Sequence, residues 1–212
     1  MSIGESIKLI KEVSNHNGIP IQSIDKQLDV TEIFGIILSK RKPKVNCVVL
    51  YGASSAGKTI LLKSAFKVFP GCTLLYQGVS NNFMFESLED AQVCLWDEDL
   101  FGAQHQESTK KLLGSEEFES ATKYRRNVKI SRAIPVGIGG NVLPWSSILT
   151  CEHRKAFGNR CIVVEMSEMP THADYSNKGV IHPQAWLSID KPYWARVNGQ
   201  EEVPQSQENS PE

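Results

Sequence analysis

Eight residues, Gly52 to Thr59, carry the pattern G-x-x-x-x-G-K-T, directly after the apolar run "VNCVVLY". A glycine-bearing turn of this kind points successive backbone N–H groups inward as an anion nest, and the helix that follows adds its positive N-terminal end. The chemistry is a grip on phosphate. Gly52, Ala53, Ser54, Ser55, Ala56 and Gly57 would supply the loop. Lys58 can reach the β- and γ-phosphates, and the Thr59 hydroxyl can ligand Mg²⁺. About 40 residues on, "AQVCLWDED" is an apolar run ending in acids. A buried strand ending in Asp97 and Glu98 would deliver two carboxylates to the sheet edge where the phosphate loop lies. Transfer of a phosphoryl group to water needs a metal near the transferring phosphate and an oriented water. Asp97 suits the metal side, mainly through a bound water, and Glu98 suits the group that polarises the attacking water. A solvated acidic strand end is the competing reading, and Asp99 reads as plain surface.

Three further features are ambiguous when taken one at a time. Asn141 closes "AIPVGIGGN" and could sense the γ-phosphate or hold the water, yet an Asn after two glycines is also an ordinary turn residue. "TKYRRNVK" gathers Lys123, Arg125, Arg126 and Lys129 around Tyr124. Cations grip phosphates and an aromatic ring stacks on bases, but a solvated basic loop has the same composition. Arg160, just before "CIVVEM", is either a surface residue or a finger placed on a neighbour's nucleotide. The segment "CEHRKAFGNRC" contains metal-ligand residue types but no second close pair, so ordinary core and loop residues are the better reading.

Positioning these groups requires strands that alternate with helices. Helical spacing appears in "ESIKLIKEVS", with Ile7, Leu9, Ile10 and Val13 broadly on one face, and in "VTEIFGIILSKR", with Thr31 as N-cap and Pro43 ending the run. A strand from Val45, the phosphate loop, a helix over "TILLKSAFKVF" and strands at "CTLLYQ", "AQVCLWDED", "AIPVGIGGN" and "NRCIVVEM" follow. "HQESTKKLLGS" reads as a helix and "FESATKYRRNVKIS" as two extended arms around a basic turn. The pattern predicts an α/β fold with a central, mainly parallel sheet flanked by helices, plus a β-hairpin. Residues 1–44 form a short helical segment that could serve oligomerisation, 45–170 the core, and 171–198 a docking segment carried by "AWLSIDKPYWARV". Residues 199–212 read as a disordered tail.

Bulk properties bound the rest. At 212 residues, 41% hydrophobic and 22% charged, the chain has the make-up of one sizeable globular domain. Its formal net charge of -1 excludes a chain that clings to nucleic acid by overall charge, so such contact needs a local basic patch. No apolar run approaches the roughly 20 residues of a membrane span, and the N-terminus lacks the layout of a secretory signal. The five scattered cysteines, with Cys47 and Cys94 inside apolar runs, read as free thiols in a reducing intracellular compartment.

Taken in order, these motifs resemble those of the superfamily 3 helicases of small DNA viruses, which include the parvovirus nonstructural replication protein and the papillomavirus replication helicase. The likeness runs from about Val45 to Met166. "GASSAGKT" resembles the Walker A loop, and "VSNNFMFESLEDAQVCLWDED" the stretch leading into Walker B. "GSEEFESATKYRRNVKI" resembles the pore hairpin, with Lys123 at the tip lysine and Tyr124 where a histidine is common. "IPVGIGGN" resembles the sensor strand, and Arg160 aligns with the arginine finger. The resemblance implies an AAA+-like fold, ATP and Mg²⁺, a homo-oligomeric ring (commonly a hexamer) and 3′-to-5′ tracking on single-stranded DNA. RNA is left open as the polynucleotide. Lys58, Glu98, Asn141 and Arg160 would carry catalysis. Thr59 and Asp97 would face the metal, and Lys123, Tyr124 and Arg125 the DNA.

Two departures stand out. "GGN" replaces the usual hydroxyl-bearing pair before the sensor Asn, which predicts a looser turn. The stretch from Met1 to Lys44 is too short for a nicking or origin-binding domain, so the expectation is a stand-alone motor, a subunit beside a separately encoded initiator or nuclease, or part of a longer protein. A viral source would place it in the host nucleus. A nucleotide-binding scaffold without translocation and a P-loop kinase are the alternative functions.

Overall fold

The computed structural model describes residues 1–18, 30–38, 43–75, 83–97, 101, 103–124, 126–169, 181–182 and 184–189. Its centre is a five-stranded sheet of β1 (Cys47–Gly52), β2 (Cys72–Leu75), β3 (Val93–Asp97), β6 (Val136–Gly140) and β7 (Cys161–Met166). The order is β2-β3-β6-β1-β7 and every pairing is parallel. A second, two-stranded sheet is the antiparallel hairpin of β4 (Phe118–Ser120) and β5 (Val128–Ile130). Six α-helices accompany these strands among the described residues. They are α1 (Ile3–His16), α2 (Val30–Leu38), α3 (Lys58–Phe66), α4 (Gln106–Leu113), α5 (Cys151–Gly158) and α6 (Gln184–Ile189). The expected α/β architecture is present.

Side chains alternate across a strand, and here each face meets helices. Val48 and Leu50 of β1 and Leu95 of β3 face α1, α2, α3 and α6. Cys47 and Val49 of β1 and Trp96 of β3 face the other way, onto Leu112 of α4, Phe157 of α5 and Phe118 of the hairpin. Burial on both faces explains why the central strands read as unbroken apolar runs rather than as alternating ones.

Helices α1 and α6 belong to this core. Ser2 caps α1 by a reciprocal capping box with Glu5, a device worth about 1 kcal/mol. Leu9, Ile10 and Val13 are buried as the spacing predicts. From α6, Trp186 is fully buried, sits edge-on to Phe34 of α2 at 5.2 Å and donates its indole N–H to Ser64 Oγ of α3 at 2.9 Å. Through this side chain α6 packs on α2 and α3.

Several local expectations are corrected. α2 begins at Val30, so Thr31 lies inside the helix and is not its N-cap. The first strand begins at Cys47. Asn46, fully buried, donates its side-chain N–H to the carbonyls of Leu112 and Ile134 at 3.1 and 2.6 Å. It ties the sheet to α4 and to the segment that follows the hairpin. "CEHRKAFG" is helix α5 rather than loop, because Thr150 precedes it in an extended conformation and Phe157 anchors it in the core.

Candidate nucleotide site and hairpin

The phosphate loop leaves β1 and enters α3 at the carboxyl edge of the sheet. Gly52 turns the chain with φ 126°, so close to β7 that a Cβ would lie 2.3 Å from the carbonyl oxygen of Met166. The Ala53 N–H donates to that same oxygen at 3.0 Å. At Gly57, φ is 84° and the α carbon faces Val13 of α1. Ala56 is buried, whereas Ala53, Ser54, Ser55 and Thr59 are exposed around the mouth of the loop.

Lys58 is largely buried and its ammonium turns back over the loop. It donates to the carbonyl oxygens of Gly52 at 3.1 Å and Ala53 at 2.5 Å, and to Asn141 Oδ1 at 3.2 Å. Asn141 follows directly on β6, so the strand order brings it to Lys58 across 83 residues of sequence. The glycines before it have a packing role. A Cβ on Gly139 would meet Leu62 Cδ1 of α3 at 3.1 Å and lie 3.7 Å from Asp97 Oδ1, and one on Gly137 would press on Leu62, Leu95 and Phe66 at 3.0 Å. Small residues on β6 let the helix behind the phosphate loop lie close on the sheet. Of the two glycines in "GGN", Gly139 thus lies under Leu62 of α3, whereas a Cβ on Gly140 would meet only the Val142 carbonyl oxygen, at 3.2 Å.

Asp97 ends β3, whose partner Gly139 lies on the strand that carries Asn141. Thr59 and Asp97 line one small cavity together with Lys63 and the apolar side chains of Leu62, Leu74, Leu95 and Trp96. A hydroxyl and a carboxylate are the hard oxygen donors Mg²⁺ prefers, so these residues fit such an ion. Lys63 Nζ lies 3.2 Å from Asp97 Oδ2. Sequence reasoning missed Lys63, although its spacing of four from Thr59 places both on one face of α3. Glu98 lies outside the described residues.

The arginine lies at the opposite edge of the sheet. Arg160 precedes the first residue of β7, level with Asn46, whose N–H donates to the Arg160 carbonyl at 3.2 Å. Six residue steps of strand, from Asn46 to Gly52, at about 3.3 Å each separate that level from the phosphate loop, roughly 20 Å. Its guanidinium donates to Ala156 O at 2.8 Å and pairs with Glu116 Oε1 at 3.2 Å.

The basic stretch forms the expected hairpin, with Phe118 opposite Ile130, Glu119 opposite Lys129 and Ser120 opposite Val128. Its turn is closed by the buried Thr122 hydroxyl, which donates to Arg126 O at 2.9 Å. At the tip Tyr124 is 94% exposed with φ 65°, and the Lys123 ammonium stands 5.1 Å from its ring centroid. Arg125 lies outside the described residues, and Arg126 is exposed. Lower on the hairpin, Lys129 pairs with Glu117 at 2.7 Å, and that carboxylate holds the ammonium above its ordinary pKa. The Lys123 N–H donates to Glu86 Oε2 at 3.3 Å, a contact between segments 37 residues apart that no local pattern signals. Beside Glu86, the ring of Phe85 packs edge-on against Trp96 at 6.3 Å and against Phe118 at 5.5 Å. The residue next to Asp97 thus reaches the base of the hairpin through one aromatic ring. Among the described residues no cluster of three or more metal-ligating side chains occurs, and no helix is long and apolar enough to cross a membrane.

Residues 28–212 match the family model described as papillomavirus helicase. The chain belongs to the papillomavirus helicase family. The resemblance drawn from the motifs is borne out. Replication protein E1 of Human papillomavirus 72 is 25% identical over 165 residues, covering 77% of this chain and 25% of that protein. Initiator protein NS1 of Junonia coenia densovirus is 23% identical over 158 residues, covering 74% and 28%. The match to this family member therefore spans about a quarter of the length of these curated relatives. In fold it is similar to the JCV helicase, at TM-score 0.52 and 8% identity over 89% of this chain and 62% of that one. It is also similar to the NrS-1 C-terminal region, at TM-score 0.57 and 14% identity over 94% and 46%.

Proposed function

We propose that this chain is the motor of a viral replication helicase, an ATPase that moves along single-stranded DNA. The observation that carries the proposal is the hairpin: a lysine and a fully presented tyrosine stand at the tip of a β-turn whose base packs, through Phe85, on the strand that ends in Asp97. A positive charge beside an exposed ring is chemistry suited to a phosphate and its base.

In this reading ATP is held by the backbone amides of Gly52 to Gly57 and by Lys58, which exchanges carbonyl partners for phosphate oxygens while Asn141 keeps its head in place. Thr59 and Asp97 would hold Mg²⁺ from the protein side, and that ion would supply positive charge beside the transferring phosphate. Glu98, next in sequence to Asp97, orients the attacking water. Arg160 is too far from its own subunit's phosphate loop to serve it. In this reading it would serve a neighbour's in a ring assembly, read here as a hexamer, with release from Glu116 as part of docking. Origin recognition or nicking would come from other domains or a separate initiator.

Steady-state ATP hydrolysis with and without single-stranded DNA, on wild type and Lys123→Ala, tests the proposal. The motor reading expects DNA to stimulate turnover severalfold and the substitution to abolish the stimulation with basal hydrolysis intact. Hydrolysis indifferent to both DNA and RNA would overturn it in favour of a kinase or a scaffold.

A further inference from the structure

The cavity beside the phosphate loop holds a charge that the mechanism above does not use. Lys63 lies one helical turn beyond Thr59 on α3, and its long side chain runs back toward the helix N-terminus, as helical side chains do. There its ammonium meets Asp97 Oδ2 at 3.2 Å, in the cavity that Thr59 also lines. Asp97 is two-thirds covered and Lys63 is 40% exposed. The contact is therefore not a bridge between two fully solvated side chains: the carboxylate sits at the sheet edge against Gly139, Leu95 and Leu62.

We propose that Lys63 is a positioning residue of the nucleotide site, the resident counter-cation of Asp97, and that it sets the divalent-cation concentration at which the chain binds nucleotide. The inference rests on the ATPase reading of the same site. A divalent ion brought beside Asp97 and the Lys63 ammonium repel each other across that carboxylate, so each weakens the other's hold on it. A divalent ion shared by Thr59 and Asp97 thus competes with the Lys63 ammonium. While no such ion is bound, the ammonium cancels the carboxylate charge that would otherwise repel an incoming triphosphate. Lys63 accordingly has effects of opposite sign. It favours nucleotide entry without metal, and it raises the metal concentration needed for the completed site.

Equilibrium binding of a fluorescent ATP analogue with a non-hydrolysable β,γ linkage tests this, titrated with Mg²⁺ and repeated in excess EDTA. For Lys63→Met the half-saturating Mg²⁺ concentration should fall about threefold to fivefold, the size of one partly exposed ion pair. Binding in EDTA should weaken by a similar factor. Lys63→Arg, which keeps the charge, should behave as wild type in both. A folding defect would weaken both measurements, so the opposed signs separate the proposed role from a structural one. An unchanged or higher Mg²⁺ requirement in Lys63→Met would overturn the inference while leaving the ATPase reading intact. No binding of the analogue by wild type would sink that reading and this inference together.

Discussion

Replacing Gly52 with alanine should damage the fold as well as the phosphate grip. The Cβ would stand 2.3 Å from the Met166 carbonyl oxygen, 3.0 Å from its nitrogen and 3.2 Å from its carbonyl carbon, all backbone atoms of a strand paired along its length with β1. Nothing there is the loose end of a side chain. The φ of 126° adds strain of about 1–2 kcal/mol for any residue with a Cβ. Relieving the clash means moving the loop off β7, which breaks the Ala53 N–H to Met166 bond of 3.0 Å and forfeits about 1 kcal/mol more. Residual crowding adds about 1–2 kcal/mol, and the stiffer unfolded chain returns about 0.5 kcal/mol. The net is about 3 kcal/mol. At about 2–4 °C per kcal/mol for a domain of this size, Tm should fall by about 6–12 °C, read by circular dichroism, with nucleotide binding lost in parallel. Gly4→Ala in the first turn of α1, with open space around it, is the control and should leave Tm unchanged or slightly raised. A Gly52→Ala protein that melts within 2 °C of wild type would refute the claim that Gly52 is required by its approach to β7.

Trp186→Ala should destabilise by about 3–5 kcal/mol, because it empties a fully buried ring site and removes the indole hydrogen bond to Ser64. Trp186→Phe, which loses chiefly the hydrogen bond, should cost about 1–2 kcal/mol in urea unfolding; equal losses for the two would mean the ring is not packed as described. Thiol titration of the native chain should modify exposed Cys151 quickly and spare Cys47 and Cys94 until unfolding. Burial pushes both buried thiols well above their ordinary pKa, with contact to Cys161 adding to the effect at Cys47. Because their folded pKa exceeds the unfolded one, these thiols favour the folded state below the ordinary thiol range. That contribution is lost as pH rises through the folded pKa, so urea midpoints should decline in strongly alkaline buffer, and less so in a Cys94→Ala variant.

What the sequence determined by itself was whatever neighbouring residues encode together. The phosphate loop is read from eight consecutive residues because its anion nest is a property of local backbone. The hairpin at 118–130 is read from two short arms and a polar turn, and the buried strands from runs of apolar residues. The order of these motifs was enough to indicate the family. Tertiary structure decided which distant groups meet. That Lys58 contacts Asn141 depends on β6 lying beside β1, and a parallel sheet leaves strand order to long crossovers that no local pattern specifies. The same holds for Lys63 with Asp97, Glu86 with the Lys123 amide and Arg160 with Glu116. It holds also for the glycines before Asn141, which suggest looseness in one dimension. In three dimensions Gly137 and Gly139 are the room into which Leu62 packs, with Phe66 beside Gly137, because a missing side chain is flexibility only where nothing else fills its place.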